Sequence, residues 1–131
     1  GVSNDARDIR AAAAEGNADA QLANDALIDS IRHWAGSFLL KMGGVDVISF
    51  TAGIGENDVE LRAAVCADLE GLGVKLDAER NAATTRGSEG VISTDDSAVK
   101  IMVIPANEEL VIAREVFRHV TAQPSLSTQS T

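Results

Sequence analysis

The sequence predicts an α/β fold, and three observations carry the prediction. Residues 45–50, V-D-V-I-S-F, are rich in β-branched and aromatic residues, and residues 99–104, V-K-I-M-V-I, are a near-continuous apolar run, the composition of strands in a sheet interior. Each run passes through a turn to a helix-capping residue, Asp58 after the first and Asn107 after the second. Ahead of both lies a helical repeat long enough to cross a domain. Strands that are each followed by a helix pair in parallel through a right-handed crossover, so the loops at their carboxyl ends share one crevice.

At 131 residues the chain is one domain's worth, able to bury about two-thirds of its unfolded surface. No apolar run approaches the ~18 residues of a membrane span, so no membrane partner is expected. A net charge of −9, with only 11 Lys and Arg spread thinly, argues against a nucleic-acid partner. The chain opens on Gly rather than Met, and a piece of a longer protein is the expectation. Its single cysteine, Cys66, cannot form an internal disulfide and fits a reducing compartment. Among Ala64, Val65 and Leu69 it reads as a small buried hydrophobe, not a nucleophile.

Taken in order, Ser3 or Asp5 can cap a short helix through Ala14, which Gly16 stops. Its Asp5, Arg7, Asp8 and Arg10 form an alternating charge ladder, in isolation a solvated face. Asn17 caps the long helix, whose Leu27, Ile31, Trp34, Phe38 and Met42 recur at helical spacing and predict one continuous buried stripe, ended by Gly43-Gly44. His33 has no partner at metal-ligand spacing and reads as a surface or interface residue.

The first strand, residues 45–50, runs into the glycine loop T-A-G-I-G-E-N, where Gly53 and Gly55 are expected to take positive φ and admit a ligand to the backbone. Asp58 caps a helix through Leu69 that stops at Gly71 and Gly73, its first amides pointing into the crevice. Residues 74–76 and 91–94 read as short strands around a helix capped by Asp77 and a polar loop at 84–90. The second main strand, 99–104, closes at Pro105. Asn107 then caps a last helix with Glu108 and Glu109 in its first turn and Leu110, Ile112, Ala113, Val116, Phe117 and Val120 on its apolar face. Residues 121–131 form a Ser/Thr/Gln-rich tail expected to be disordered. Two strands alone would leave an open sheet edge and uncovered helix faces.

T-A-G-I-G-E-N and P-A-N-E-E thus meet at the crevice, where a carboxylate could hold magnesium through water. Neither standard phosphate motif fits. Position 58 is Asp where the dinucleotide fingerprint needs a third glycine, and the Lys-Ser/Thr of a P-loop is absent.

Three segments, Ser3-Asn4-Asp5-Ala6-Arg7-Asp8, Phe50-Thr51-Ala52-Gly53-Ile54-Gly55-Glu56-Asn57 and Ile104-Pro105-Ala106-Asn107-Glu108-Glu109-Leu110, together resemble the C-terminal part of bacterial acetate kinase in order and spacing. The resemblance covers residues 1–120 and implies a partial actin-like ATPase domain, of the sugar kinase, actin and ribonuclease H-like group. It implies reversible phosphoryl transfer between ATP and acetate, giving ADP and acetyl phosphate, with Mg2+, in the cytoplasm and in a homodimer joined through this domain. It further implies nucleotide contacts at Asp5, Ala6 and Arg7 and at Gly53, Ile54, Gly55, Glu56 and Asn57, and a magnesium-associated carboxylate at Glu108. Ala106 departs from the family's usual Thr, and Ala6 is small where a bulkier side chain can sit.

The family's catalytic arginines and aspartate are expected upstream of Gly1, so no catalytic residue is assigned and the isolated chain is expected to be inactive. Propionate or butyrate kinase is the alternative of the same chemistry. An inactive nucleotide-binding or dimerisation fragment is the alternative of another class.

Overall fold

The structure is a computed structural model that describes Ser3 and residues 5–122, the side chains of Glu108 and Ala122 excepted. Helix α1 (Ala6–Ala14) begins where the Asp5 carboxylate accepts the Arg7 amide at 2.9 Å, and it gives way to Gly16 at φ +90°. Helix α2 (Ala18–Met42) starts at Asn17, whose Oδ1 accepts from the Ala20 amide at 3.1 Å, and stops at Gly43 in the left-handed region. A side-chain acceptor at one end and a glycine at the other fix both helices locally. α1 packs chiefly along α2.

The α2 stripe is only half buried, which corrects the expectation from its spacing. Leu27 and Ile31 pack against the core, but Trp34, Phe38 and Met42 are more than half exposed. Twenty-five helical residues extend about 37 Å whereas a four-residue strand covers about 13 Å, so the helix overruns the sheet it lies on. On the overhang Trp34 packs edge-on to His33 and beside Phe38.

The sheet has the order β1-β3-β2. Strands β1 (Val47–Phe50) and β3 (Lys100–Val103) pair in parallel, Val47 opposite Lys100 and Phe50 opposite Val103. β2 (Gly90–Val91) lies antiparallel on the other side of β3. Single bridges, Val74 to Val99 and Leu76 to Ser93, stand where short strands were expected. β3 is central and buries Ile101 and Val103 completely. β1 is an edge strand with only Phe50 buried and Val47 half exposed, not the fully buried strand its composition suggested.

Between β1 and the Asp58 cap the chain is helical rather than a loop. Helix α3 (Ala52–Asn57) contains both glycines, and the positive φ falls on Ala52 (+61°) instead of Gly53 or Gly55. Gly55 serves close packing: a Cβ there would come within 3.3 Å of the Phe50 carbonyl carbon. Helix α4 (Val59–Cys66) ends five residues before Gly71. Arg32 of α2 reaches its carboxyl end and donates to the carbonyls of Ala64, Val65 and Ala67, after which Asp68 turns left-handed. Leu69 therefore follows the helix instead of riding on it. A 3-10 turn, Glu70–Leu72, and the Asp77-capped helix α5 (Ala78–Ala83) lead to β2.

The core joins Phe50, Leu61, Val65, Cys66, Val74, Ile92, Val99, Ile101 and Val103. Burial pushes the Cys66 thiol up to about 11, so it stays protonated and inert, as a buried hydrophobe should. Helix α6 (Glu108–Ala122) has its Asn107 cap, whose Oδ1 accepts the Leu110 amide at 3.1 Å. Its expected packing face is bare: Leu110, Ile112, Val116, Phe117 and Val120 are all exposed. The helix carries on through Thr121 and Ala122, and residues 123–131 of the expected tail lie outside the described residues.

Candidate functional site

α1 and the α3–α4 segment face each other across a cavity of about 830 Å³. One wall carries Ser3, Asp5, Ala6, Arg7 and Arg10; the other carries Gly53, Ile54, Asn57 and Asp58. The charge ladder of the first helix is therefore not merely a solvated face. Asp5 and Arg7 form an ion pair, with Nη2 of Arg7 2.7 Å from Oδ2 of Asp5 and Nε 3.1 Å from Oδ1. The hydrogen bonds from Arg7 hold the Asp5 carboxyl at about 2, and the same partner raises the arginine. At neutral pH this wall thus presents a fixed pair of opposite charges.

On the facing wall, nothing lies within 4 Å of where a Cβ on Gly53 would stand, so its backbone is open to a bound group. Asn57 is fixed from both ends, donating to the Gly53 carbonyl at 2.9 Å and accepting the Arg86 amide at 3.0 Å. Asp58 uses Oδ1 to accept the Leu61 amide at 2.9 Å. That α4 amide, expected to point free into the crevice, is already satisfied.

Gly55 and Glu56 do not line this cavity. Gly55 packs on Phe50, and the Gly55 and Glu56 carbonyls accept from Nη1 of Arg62 at 2.9 and 2.8 Å. The Glu56 carboxylate reaches the β3–α6 loop and accepts the Ala106 amide at 2.7 Å. It thereby borders a second hollow of about 460 Å³, with Ala52, Gly53, Ala106, Asn107 and Glu109. The two loops at the strand carboxyl ends do meet, and Gly53 belongs to both hollows.

Glu108 opens α6 beside this second hollow in sequence, and its side chain lies outside the described residues. The hollow's side-chain oxygens, on Glu56, Asn107 and Glu109, are the hard donors magnesium takes. Among the described residues no group of three His, Cys, Asp or Glu is close enough to enclose a metal.

Arg62 was not singled out from the sequence, yet it holds the glycine helix in place. Fully buried, it also donates to Asn81 Oδ1 (2.7 Å), Asn81 O (2.9 Å) and Thr84 O (2.8 Å), tying α3 to α5. Burial lowers its pKa, and the nearby Asp58 charge opposes that. No local pattern marks an arginine on a short helix for this role, because its partners lie six to twenty-two residues away. Arg10 and Asp58 were seen only as ladder and cap, and their pairing across the cavity has no signal at sequence spacing.

Residues 1–114 match the model of the Acetokinase family. The chain is 56% identical over 116 residues to an acetate kinase of Lachnoclostridium phytofermentans, covering 88% of this chain and 29% of that protein. Among solved structures it superimposes on Porphyromonas gingivalis acetate kinase with a TM-score of 0.80 at 39% identity, covering 91% of this chain and 30% of the other. A propionate kinase from Francisella tularensis gives 0.73 at 35% identity, covering 86% and 28%. The chain spans less than a third of the length of each.

Proposed function

The chain belongs to the Acetokinase family, and from that premise we propose that it is the nucleotide-proximal part of an ATP-dependent acetate kinase with an actin-like ATPase fold. The reaction is reversible phosphoryl transfer between ATP and acetate, giving ADP and acetyl phosphate. One observation carries the reading: Asp5, Ala6, Arg7, Gly53, Ile54 and Asn57, far apart in sequence, converge on one cavity of nucleotide-admitting size.

In this reading Gly53 lets the nucleoside approach the main chain, and the Asp5–Arg7 pair offers it fixed charges at the opposite wall. Gly55 and Glu56 act by shape, the first through its packing on Phe50 and the second by holding the 106–109 loop to α3. Glu108 is the magnesium-associated carboxylate, aided by the oxygens of the second hollow. Magnesium, when bound, neutralises charge on the transferring phosphates. The acyl-phosphate chemistry falls to parts of the family's length that this sequence does not contain, so the chain by itself binds rather than catalyses.

The likeness to a propionate kinase supports a second acceptor, propionate, and comparison of carboxylates of increasing length on an intact enzyme separates the two. A cytoplasmic setting agrees with the free buried thiol of Cys66. A homodimer agrees with the exposed Trp34, Phe38 and Met42, and sedimentation measures it.

Calorimetric titration of ADP with magnesium into the 131-residue chain tests the assignment. Saturable binding is expected, weakened at least about tenfold by Gly53→Val, whose branched side chain would fill the open approach. Equal affinity in the variant would remove Gly53 from the site.

A further inference from the structure

The two cavity walls come from separate elements, and a charged contact joins them: Arg10 of α1 pairs with the Asp58 carboxylate at the start of α4. The Asp58 side chain is 6% exposed and that of Arg10 25%, so the pair is sheltered in a way that the Asp5–Arg7 pair, 39% and 89% exposed, is not. Apart from this contact α1 is held by α2, not by the facing wall. It buries none of its own residues and packs chiefly on α2, which lies outside the cavity.

We propose that Arg10 and Asp58 are positioning residues, a clasp that sets the width of the cavity by holding α1 to the start of α4. The proposal rests on the nucleotide reading of that cavity. Arg10 stands one helical turn beyond Arg7 on the same wall, and Asp58 directly follows Asn57 on the other. An ion pair between them fixes the distance from Asp5 and Arg7 to Gly53 and Asn57. Because the carboxylate is desolvated, breaking the pair leaves a buried charge without its partner, a larger effect than the loss of a surface ion pair.

The two oxygens of Asp58 divide its roles and make them separable. Oδ1 caps α4 through the Leu61 amide, while Oδ2 faces Arg10. Asp58→Asn keeps a capping oxygen and removes the anion. Arg62 also feels the Asp58 charge, so Arg10→Met is needed to remove the clasp without touching that second interaction.

The test is hydrogen–deuterium exchange of residues 5–14 in the 131-residue chain, for wild type, Arg10→Met, Arg10→Lys, Asp58→Asn and the Arg10→Met/Asp58→Asn double variant, with calorimetric ADP–magnesium titrations in parallel. Without nucleotide, each charge-removing variant is expected to speed exchange in α1 about tenfold, with the double variant no faster than either single and Arg10→Lys close to wild type. ADP affinity is expected to fall about five- to tenfold in the same variants. Unchanged α1 exchange in Asp58→Asn, or additive effects in the double variant, would overturn the clasp. So would an affinity loss confined to Arg10→Met with Asp58→Asn binding as well or better, since Arg10 would then be touching the nucleotide itself. If wild type binds no ADP, the nucleotide reading fails, and the exchange data alone decide whether the clasp exists.

Discussion

The first strand–helix unit, β1 with α3 and α4, and the second, β3 with α6, are written in nearly the same sequence language and meet opposite ends. Each has an apolar run, a turn and a side-chain cap, Asp58 or Asn107. In the first unit the strand is at the sheet edge while α4 is packed, burying Leu61, Arg62, Val65 and Cys66. In the second the strand is at the centre and its helix is bare, with Phe117 70% exposed. Caps and periodicity mark a helix of fifteen residues, but burial needs a partner surface. Among the described residues α6 has no large one.

The contrast breaks most severely at Arg62. Arg62→Met should cost about 3 kcal/mol or more, because it strands the buried carbonyls of Asn81 and Thr84 and releases the part-buried carbonyls of Gly55 and Glu56. Urea unfolding measures this. A loss below about 1 kcal/mol would mean that water replaces the guanidinium and that the glycine helix does not depend on it.

Matched truncations sharpen the comparison directly. Leu61→Ala in α4 should cost about 2–4 kcal/mol, whereas Phe117→Ala in α6 should change stability by less than about 0.5 kcal/mol. Equal losses would show that the α6 face is covered in solution.

The smallest effect concerns the charges on α1. The Asp5 carboxyl should titrate at about 2 by carboxyl-carbon NMR, and Arg7→Leu should return it towards 3.8. Since the folded value is depressed, the contribution of this cap to helix α1 is complete above pH ~4 and is lost as pH falls through 2. A wild-type value unaffected by the arginine would leave α1 capped by geometry alone.

Much of this was legible locally. Asn17, Asp58, Asp77 and Asn107 announced the helices they cap, and Asp5 did so alongside Ser3, because a cap acts within three residues of itself. The convergence of 5–7 with Gly53, Ile54 and Asn57 came from resemblance, since no periodicity links residues about fifty positions apart. What stayed illegible is what distant groups impose. Arg32 closes the end of α4 from more than thirty residues away, which is why the helix stops at Cys66 rather than at a glycine. Arg62 and the close approach to Phe50 make a helix of A-G-I-G-E-N, which two glycines would by propensity keep open. The period of Trp34, Phe38 and Met42 was read correctly; how far the sheet extends beneath them is not written in α2 at all.

Ala52 gives that junction its mechanical character. A left-handed alanine is strained by about 1 kcal/mol, and glycine there would be relaxed but free to wander through many other conformations. At the joint between β1 and the glycine helix the chain thus trades about that much strain for a smaller set of alternatives, since an alanine has fewer conformations to abandon than a glycine would.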